Sequence, residues 1–457
     1  MSEMIEIIVD GESYTAEEGS RLIDLLIQEK IKVPYFCYHE SLGADGNCRM
    51  CMVGIKGQKR PQIACDTFIT KDMFVDTKND TIQKVQTDIL ELELINHPVD
   101  CPVCDQAGEC SLQDFYMDYG LHNSKITISE KVKHNKALDL GSNVMLDQER
   151  CVLCARCTRF TDKITHTHEL GIIGRGDDAK VSTMPGRKLD NAYAMNVVDL
   201  CPVGALTSKD FRFSQRVWFL KTAESICHGC SKGCNIYIDH NKLKYKDDVI
   251  YRFRPRRNDD VNGFFMCDDG RLSYKELQVN RQENILYKNE ELTEDEAIKE
   301  FKNKIDKYAN NTTIIVDANL YTEEIEAILE FAIEIDAQLI SPLKIYEDED
   351  FKDDMLKSSQ RAANYQTIKR LNIANSTSTK SDLIINFNHP SEINANEKIS
   401  FLTHKSDSLE LIFPIAAFSE SSGTLVSEDG ITGKCQKAID KNNPAPTIIE
   451  WLKKVRA

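Results

Sequence analysis

Fifteen of the sixteen cysteines in this chain fall into four successive groups, at spacings suited to thiolate ligation of metal clusters. The first group is Cys37, Cys48, Cys51 and Cys65. The second is Cys101, Cys104 and Cys110, with His97 just upstream. The third is Cys151, Cys154 and Cys157, followed by Cys201-Pro202, and the fourth is Cys227, Cys230, Cys234 and Cys267. One C-x-x-C pair carries little information. Four consecutive groups describe a series of iron–sulfur clusters, and such a series conducts electrons.

The first group, C-x10-C-x2-C-x13-C, brings two near and two distant thiolates to the Gly46-Asn47-Cys48-Arg49-Met50-Cys51 loop, which suits a two-iron cluster. A four-cysteine zinc site uses the same ligands and is the alternative. The second group, C-x2-C-x5-C, is one thiolate short, and His97 is the nearest candidate for the missing ligand. An imidazole in place of a thiolate removes a negative charge and alters the reduction potential. The third group, C-x2-C-x2-C, is the three-ligand run of bacterial ferredoxins. By spacing alone, Cys201 completes either this cluster or its neighbour's. The fourth group, C-x2-C-x3-C-x32-C, again suits four irons. Arg150, Arg156 and Arg159 flank the third group, either as surface charges or as a field on the cluster. Positive charge at Arg156 is expected to raise that cluster's potential by stabilising the added electron.

Other chemistry is absent. Gly171 to Gly176 is glycine-rich without the dinucleotide-binding pattern and reads as a turn. There is no phosphate loop, no nucleophile–base arrangement and no paired carboxylates. Cys435 stands alone as an ordinary thiol.

The elements that must hold these ligands follow from periodicity. Ile5 to Val9 alternates as a strand, Asp10-Gly11 turns, and a second strand runs near Ser13-Tyr14. Ser20 is expected to cap a helix through Leu22, Leu25, Leu26 and Ile27. Two strands, a helix and a cysteine-bearing loop are the order of a small β-grasp ferredoxin domain. Ile82, Val85, Ile89, Leu92 and Ile95 predict a helix over 81–96 leading into the second group. Residues 97–215 read as short helices and loops cross-linked by their clusters. Ile236–Ile238 and Val249–Tyr251 are strands around the fourth group.

Beyond them, Thr293-Glu294-Asp295-Glu296 is a capping box opening a helix to Tyr308. Ile314–Val316, Leu339-Ile340 and Leu383–Ile385 are buried strands, and Thr322 is expected to cap a helix carrying Ile325, Ile328, Leu329, Ala332 and Ile333. Strand–helix–strand alternation predicts a mainly parallel α/β sheet. Residues 346–382 are polar and are expected to include a mobile loop.

At 457 residues the chain is expected to form two to four domains. A net charge of −16 opposes nucleic-acid binding. No apolar run is long enough to span a bilayer; the best candidate, Leu409 to Phe418, contains Glu410 and Pro414. The acidic opening is not a secretory signal, so the cysteines are expected as thiolates in a reducing compartment rather than disulfides.

The motifs resemble one family closely, the large iron–sulfur subunit (75 kDa type) of NADH:quinone oxidoreductase, respiratory complex I. The likeness is carried by Val33-Pro34-Tyr35-Phe36-Cys37-Tyr38-His39, Gly46 to Cys51, and His97-Pro98-Val99-Asp100-Cys101-Pro102-Val103-Cys104 through Gly108-Glu109-Cys110. It continues in Arg150 to Cys157 and in Asp199-Leu200-Cys201-Pro202-Val203-Gly204-Ala205-Leu206. The resemblance implies that His97 is the fourth ligand of the second cluster and that Cys201 completes the third. It implies one 2Fe–2S cluster (Cys37, Cys48, Cys51, Cys65) and three 4Fe–4S clusters (His97, Cys101, Cys104, Cys110; Cys151, Cys154, Cys157, Cys201; Cys227, Cys230, Cys234, Cys267). The fourth module, with Cys267-Asp268-Asp269-Gly270-Arg271, also resembles the start of molybdopterin oxidoreductases. In relatives it lies off the main electron path.

The implied architecture is an α+β multidomain chain. Residues 1–80 are a β-grasp 2Fe–2S ferredoxin domain, 81–219 a helical and loop region with two 4Fe–4S clusters, and 220–275 a 4Fe–4S module of molybdopterin-oxidoreductase type. Residues 276–457 are a shortened molybdopterin-oxidoreductase-like α/β domain, carrying Phe413 to Phe418 and Glu420 to Thr424, with no cysteine placed for molybdenum. The implied function is electron relay from a donor module towards quinone within the peripheral arm of complex I. The implied partners are donor and quinone-module subunits, without nucleic acid and without membrane insertion, at the cytoplasmic face of the inner membrane. The same first three groups also occur in diaphorase-type subunits of soluble NAD-linked hydrogenases and formate dehydrogenases, and ferredoxin or flavodoxin can replace NADH as donor in related complexes.

Overall fold

Alternating apolar residues build the first sheet of the computed structural model, which describes residues 3–457 except 122, 310, 378, 379, 392, 394 and 407. Ile5, Ile7 and Val9 of the strand Met4–Val9 point to one face and are buried. That strand pairs antiparallel with Glu12–Glu17 and parallel with Phe74–Asp76, which in turn pairs antiparallel with Met52–Ile55. With Gln62–Ile63 they form a five-stranded sheet. The helix Leu22–Gln28 covers its apolar face with Leu22, Ile23, Leu25 and Leu26. Ser20 is not its cap. Arg21 holds that position, and the Thr67 carbonyl accepts from the Leu22 amide at 2.9 Å, so a neighbouring strand end satisfies the helix terminus.

The expected helix leading to the second group runs Asp80–Asn96, capped by the Asn79 side chain, which accepts from the Ile82 amide at 2.9 Å. Between there and Phe219 the elements are short: the helices Ser111–Tyr119, Arg156–Lys163 and Asn196–Leu200, and a three-stranded sheet of Leu138–Asp139, Val144–Leu146 and Leu206–Ser208. The glycine-rich stretch differs from expectation. Leu170–Ile173 is a strand paired with Lys180–Thr183, and only the connection is a turn, entered through Gly174 at φ +79°. Residues Met1–Phe219 form one compact unit and Leu220–Ala457 another.

In the second unit, Lys221–Ile226, Asn235–Lys242 and Asp248–Pro255 form an antiparallel sheet. A seven-stranded sheet follows, in which five consecutive strands from one edge are parallel and Leu286–Tyr287 and Glu290–Glu291 add antiparallel at the other. Its spatial order is Gln338–Ile340, Thr312–Val316, Leu383–Phe387, Glu397–Leu402, Leu411–Pro414, so the winding reverses on either side of Thr312–Val316. Phe387, Phe401 and Phe413 stack at 4.7 and 4.8 Å, and Phe301 and Trp451 meet this stack edge-on. The helix Thr322–Glu334 starts one residue earlier than expected. Tyr321 is its N-cap, anchored by its hydroxyl, which donates to the Phe418 carbonyl at 2.7 Å. The polar segment 346–382 is largely structured where described: it contains the helix Tyr365–Arg370 and buries Phe351, Ala362, Ala363 and Ile368.

The crevice at the carboxyl ends of the parallel strands is where open α/β sheets take ligands. Here its polar groups are spent on one another. Asp317 accepts from the Tyr346 hydroxyl at 2.7 Å, the Asn388 amide group at 3.1 Å and the Asn319 backbone amide at 2.8 Å. Asn388 in turn accepts from Thr403. Among the described residues no helix is long and apolar enough to cross a membrane.

Candidate metal-cluster sites

Cys37 and Cys48 lie on the long loop between the helix Leu22–Gln28 and the strand Met52–Ile55, Cys51 abuts that strand, and Cys65 sits in the single turn Ala64–Asp66. All four are buried, and their sulfurs converge. The Cys37 thiol is pulled far down by hydrogen bonds from Cys48 and Cys65, and Cys51 is lowered by Cys65. The two donors are pushed up correspondingly. Gly46 at φ +74° and Arg49 at φ +55° turn backbone amides inwards. The Gly46 amide bonds the Cys37 sulfur, and the Cys37 amide lies 3.5 Å from that of Cys48.

In the third group Cys154 and Cys157 are buried and Cys151 and Cys201 partly exposed. Cys151, Cys154, Cys157 and Cys201 line one small cavity with Leu146, Val152, Val181, Val203 and Leu206. Four soft donors around an apolar space fit a thiolate-ligated cluster. Leu153 (φ +50°) and Ala155 (φ +58°) adopt the left-handed conformation, which costs on the order of 1–3 kcal/mol each outside glycine. The strain aims amides at sulfur: Leu153 donates to Cys151 at 3.4 Å and Arg156 to Cys154, while Val203, Ala205 and Leu206 donate to Cys201. Burial pushes the Cys154 thiol up to about 12 and raises its three partners, so binding a metal here displaces protons. The spacing left Cys201 open between two sites; its sulfur faces the other three in this cavity.

The same Cys-Pro turn also backs the second group. Gly204 lies against the Cys104 sulfur, and the Ser111 amide, next to Cys110, donates to the Pro202 carbonyl at 2.9 Å. Burial pushes Cys110 up to about 11. His97 ends the helix Asp80–Asn96 and opens the loop carrying Cys101 and Cys104. Its Nδ1 accepts from the Val99 amide at 3.1 Å, which leaves Nε2 as the atom able to ligate. Burial lowers the imidazole to about 4, the neutral form a ligand requires. Lys131 steadies this corner by donating to the carbonyls of Leu94, Ile95 and His97 at 2.8–2.9 Å. Arg150, expected beside the third group, serves the second: it forks onto Asp100 at 2.8 and 3.0 Å, and its charge acts on both His97 and Cys104.

In the second unit, Cys227 and Cys234 close the ends of two paired strands, with the Cys227 amide donating to the Cys234 carbonyl at 2.8 Å. The Cys267 sulfur caps the helix Asp268–Leu272, accepting from Gly270 at 3.3 Å. Cys230 acts electrostatically on both, and Gly229 donates to the Cys227 sulfur at 3.4 Å. A Cβ on Gly270 would lie 2.9 Å from that sulfur. Half-buried His228 stacks on Phe418 at 3.7 Å, a contact the sequence did not signal. Cys435 is buried beside Tyr321 and Ser225, and its sulfur accepts from the Ile226 amide, one residue before Cys227. Among the described residues no three His, Cys, Asp or Glu side chains are arranged around a single-ion position.

Within the first unit the third group touches both others. Asn47, beside Cys48, donates to the Leu153 carbonyl at 3.0 Å, and Arg156 and Arg159 donate to carbonyls of the first group's loop. Cys154 feels the charge of Cys37, and Cys110 that of Cys201. The first group's loop also meets the helix after the second group, where Phe36 packs on Phe115 at 5.2 Å. Sequence order did not reveal these contacts.

Four family models match in succession. They are described as a 2Fe-2S iron-sulfur cluster binding domain (residues 2–80), the NADH-ubiquinone oxidoreductase-G iron-sulfur binding region (86–125), the ferredoxin-like domain of NADH-quinone oxidoreductase subunit 3 (141–207) and the molybdopterin oxidoreductase Fe4S4 domain (220–278). The chain is 33% identical over 375 residues to the NADH-ubiquinone oxidoreductase 75 kDa subunit of Reclinomonas americana, covering 79% of this chain and 53% of that protein. It is 36% identical over 310 residues to an NADH-quinone oxidoreductase subunit of Rickettsia prowazekii, covering 66% and 44%. The chain thus spans about half the length of the curated relatives it matches. Among solved structures, a chain of an NAD+-reducing nickel–iron hydrogenase in its H2-reduced state matches with TM-score 0.42 and 27% identity, over 47% of this chain and 91% of that one.

Proposed function

We propose, from the chain's kinship with the large iron–sulfur subunits (75 kDa type) of NADH:quinone oxidoreductase, that it is an electron-relay subunit of such a complex. In this reading Cys37, Cys48, Cys51 and Cys65 hold a 2Fe–2S cluster. His97, Cys101, Cys104 and Cys110 hold a 4Fe–4S cluster, as do Cys151, Cys154, Cys157 and Cys201, and Cys227, Cys230, Cys234 and Cys267. Bound clusters supply reversible one-electron chemistry. The protein's own part is to deprotonate and space the ligands, exclude water, and aim amides and charge at the sulfurs.

The single observation that carries the relay is the position of the third group, an apolar four-cysteine cavity whose walls touch the loops of the first and the second. Electrons entering at the first group are handed through the third to the second and onward to quinone-module partners. The working place is the cytoplasmic face of the inner membrane, bound to those partners. The β-grasp reading of residues 1–80, the modules 81–219 and 220–275, and the molybdopterin-oxidoreductase-like reading of 276–457 belong to the same proposal.

The test is metal and sulfide analysis of anaerobically purified protein, with identification of what co-purifies from membranes solubilised in mild detergent. One two-iron and three four-iron clusters give about fourteen irons per chain. A colourless zinc protein overturns the relay. Hydrogenase or formate-dehydrogenase subunits in place of quinone-module subunits overturn the assignment to a quinone reductase.

A further inference from the structure

Two arginines on one helix reach out of the third group into the first. The helix Arg156–Lys163 begins inside the C-x2-C-x2-C run and carries Cys157. Arg156 and Arg159, three residues apart, share its inner face, and each is 8% exposed. Their acceptors differ. Arg156 donates to the Tyr38 carbonyl at 2.6 Å, one residue after Cys37, and to the Leu200 carbonyl at 3.1 Å, one residue before Cys201. Arg159 donates only into the first loop, to the carbonyls of Cys37, Leu42 (3.4 Å) and Gly43 (3.0 Å).

Their charge balance differs too. Arg159 has a carboxylate nearby, Asp45 at 3.9 Å. Arg156 meets carbonyls and the Tyr35 ring but no carboxylate among the described residues. An unpaired buried guanidinium costs several kcal/mol unless an anion lies close. The anions available on either side are the two sets of four thiolates. Its charge already opposes the effect of burial on Cys154 and Cys201.

We propose that Arg156 is a positioning and potential-setting residue shared by the first and third clusters, while Arg159 acts on the first alone. This rests on the cluster assignments above. A positive charge within reach of two clusters stabilises an added electron on either, so it raises both potentials together. Arg159, tempered by Asp45, sets the difference between them. One helix thus controls both the level and the step of the transfer from first group to third.

The experiment is an EPR-monitored redox titration of the holoprotein, with the third cluster's signal identified as the one lost in Cys154→Ser. Arg156→Gln is expected to lower the midpoints of both the two-iron and this four-iron signal at unchanged iron content. Arg159→Gln is expected to lower the two-iron midpoint only, and Asp45→Asn, which removes the tempering carboxylate, to raise it alone. Arg156→Lys retains the charge and is expected to keep both midpoints near wild type. The inference is overturned if Arg156→Gln moves only one midpoint or neither, or if Arg159→Gln moves both. If Arg156→Gln does not retain iron, Arg156→Lys and Asp45→Asn decide, and a fall in either midpoint for the lysine variant overturns the inference. A wild-type holoprotein without a two-iron signal fails the underlying cluster assignment instead.

Discussion

Gly204 packs so tightly against Cys104 that a Cβ on it would overlap the cysteine sulfur. The turn that delivers Cys201 to the third group therefore forms a wall of the second, and neither site can shift without the other.

Gly204→Ala forces the overlap. The expected outcome is loss of the second group's cluster, read as about four fewer irons per chain and the disappearance of one four-iron EPR signal. The two-iron signal is expected to remain, because no contact of Gly204 reaches the first group's loop.

Lys131→Met leaves the carbonyls of Leu94, Ile95 and His97 without their shared donor. These acceptors are only partly buried, so each loss costs less than the roughly 1–3 kcal/mol of a fully buried one. The end of the helix Asp80–Asn96 is expected to fray, which hydrogen exchange of its last turn would show. Faster release of iron from the second group to a chelator should accompany it.

Two buried acids of the second unit are expected to withdraw stability as pH rises from about 4 to about 7. Over the same range His228 and His389, which burial lowers from 6.5 to about 4, add stability. Burial raises Asp317 from its ordinary 3.8 to about 6 and Glu324 from 4.5 to about 7. Both folded-state values lie above the unfolded ones, so the folded state holds these protons longer. The stability these two acids contribute is fully present below the unfolded values and is lost as pH climbs through the folded ones. At about 1.4 kcal/mol per unit, Asp317 alone accounts for roughly 3 kcal/mol. The charge of Asp317 adds to the rise at Glu324. Denaturant unfolding followed by fluorescence of buried Trp451 would measure the slope. Asp317→Asn should shift it towards stability that rises with pH, while weakening the bond from Asn388.

Phe401→Ala removes the middle ring of the Phe387–Phe401–Phe413 stack and the edge contact to Phe301. A cost of about 3–5 kcal/mol is expected in the same Trp451 assay. The two-iron and third-group EPR signals, which arise in the first unit, should not change.

The cysteine groupings were legible because cluster chemistry needs particular residue types at short, regular spacings, and Cys48-Arg49-Met50-Cys51 or Cys151 to Cys157 declare themselves locally. The long helix Asp80–Asn96 and the parallel strands were legible from periodicity. Helix starts were less so. Thr67 replaced Ser20 at one terminus, and Tyr321 displaced Thr322 at another, because distant groups satisfied or anchored those ends. The helix Tyr365–Arg370 hid in a polar segment whose few apolar side chains are nonetheless buried.

By itself the sequence determined which atoms are available for ligation and which strands and helices carry them, since both depend on neighbours a few residues apart. It could not say that the third group touches both the first and the second, that Arg150 serves the second group, or that Arg156 bridges Tyr38 and Leu200. Those relations join residues dozens of positions apart. They are set by how short helices pack when little apolar core exists to guide them, and that was decided only in the tertiary structure.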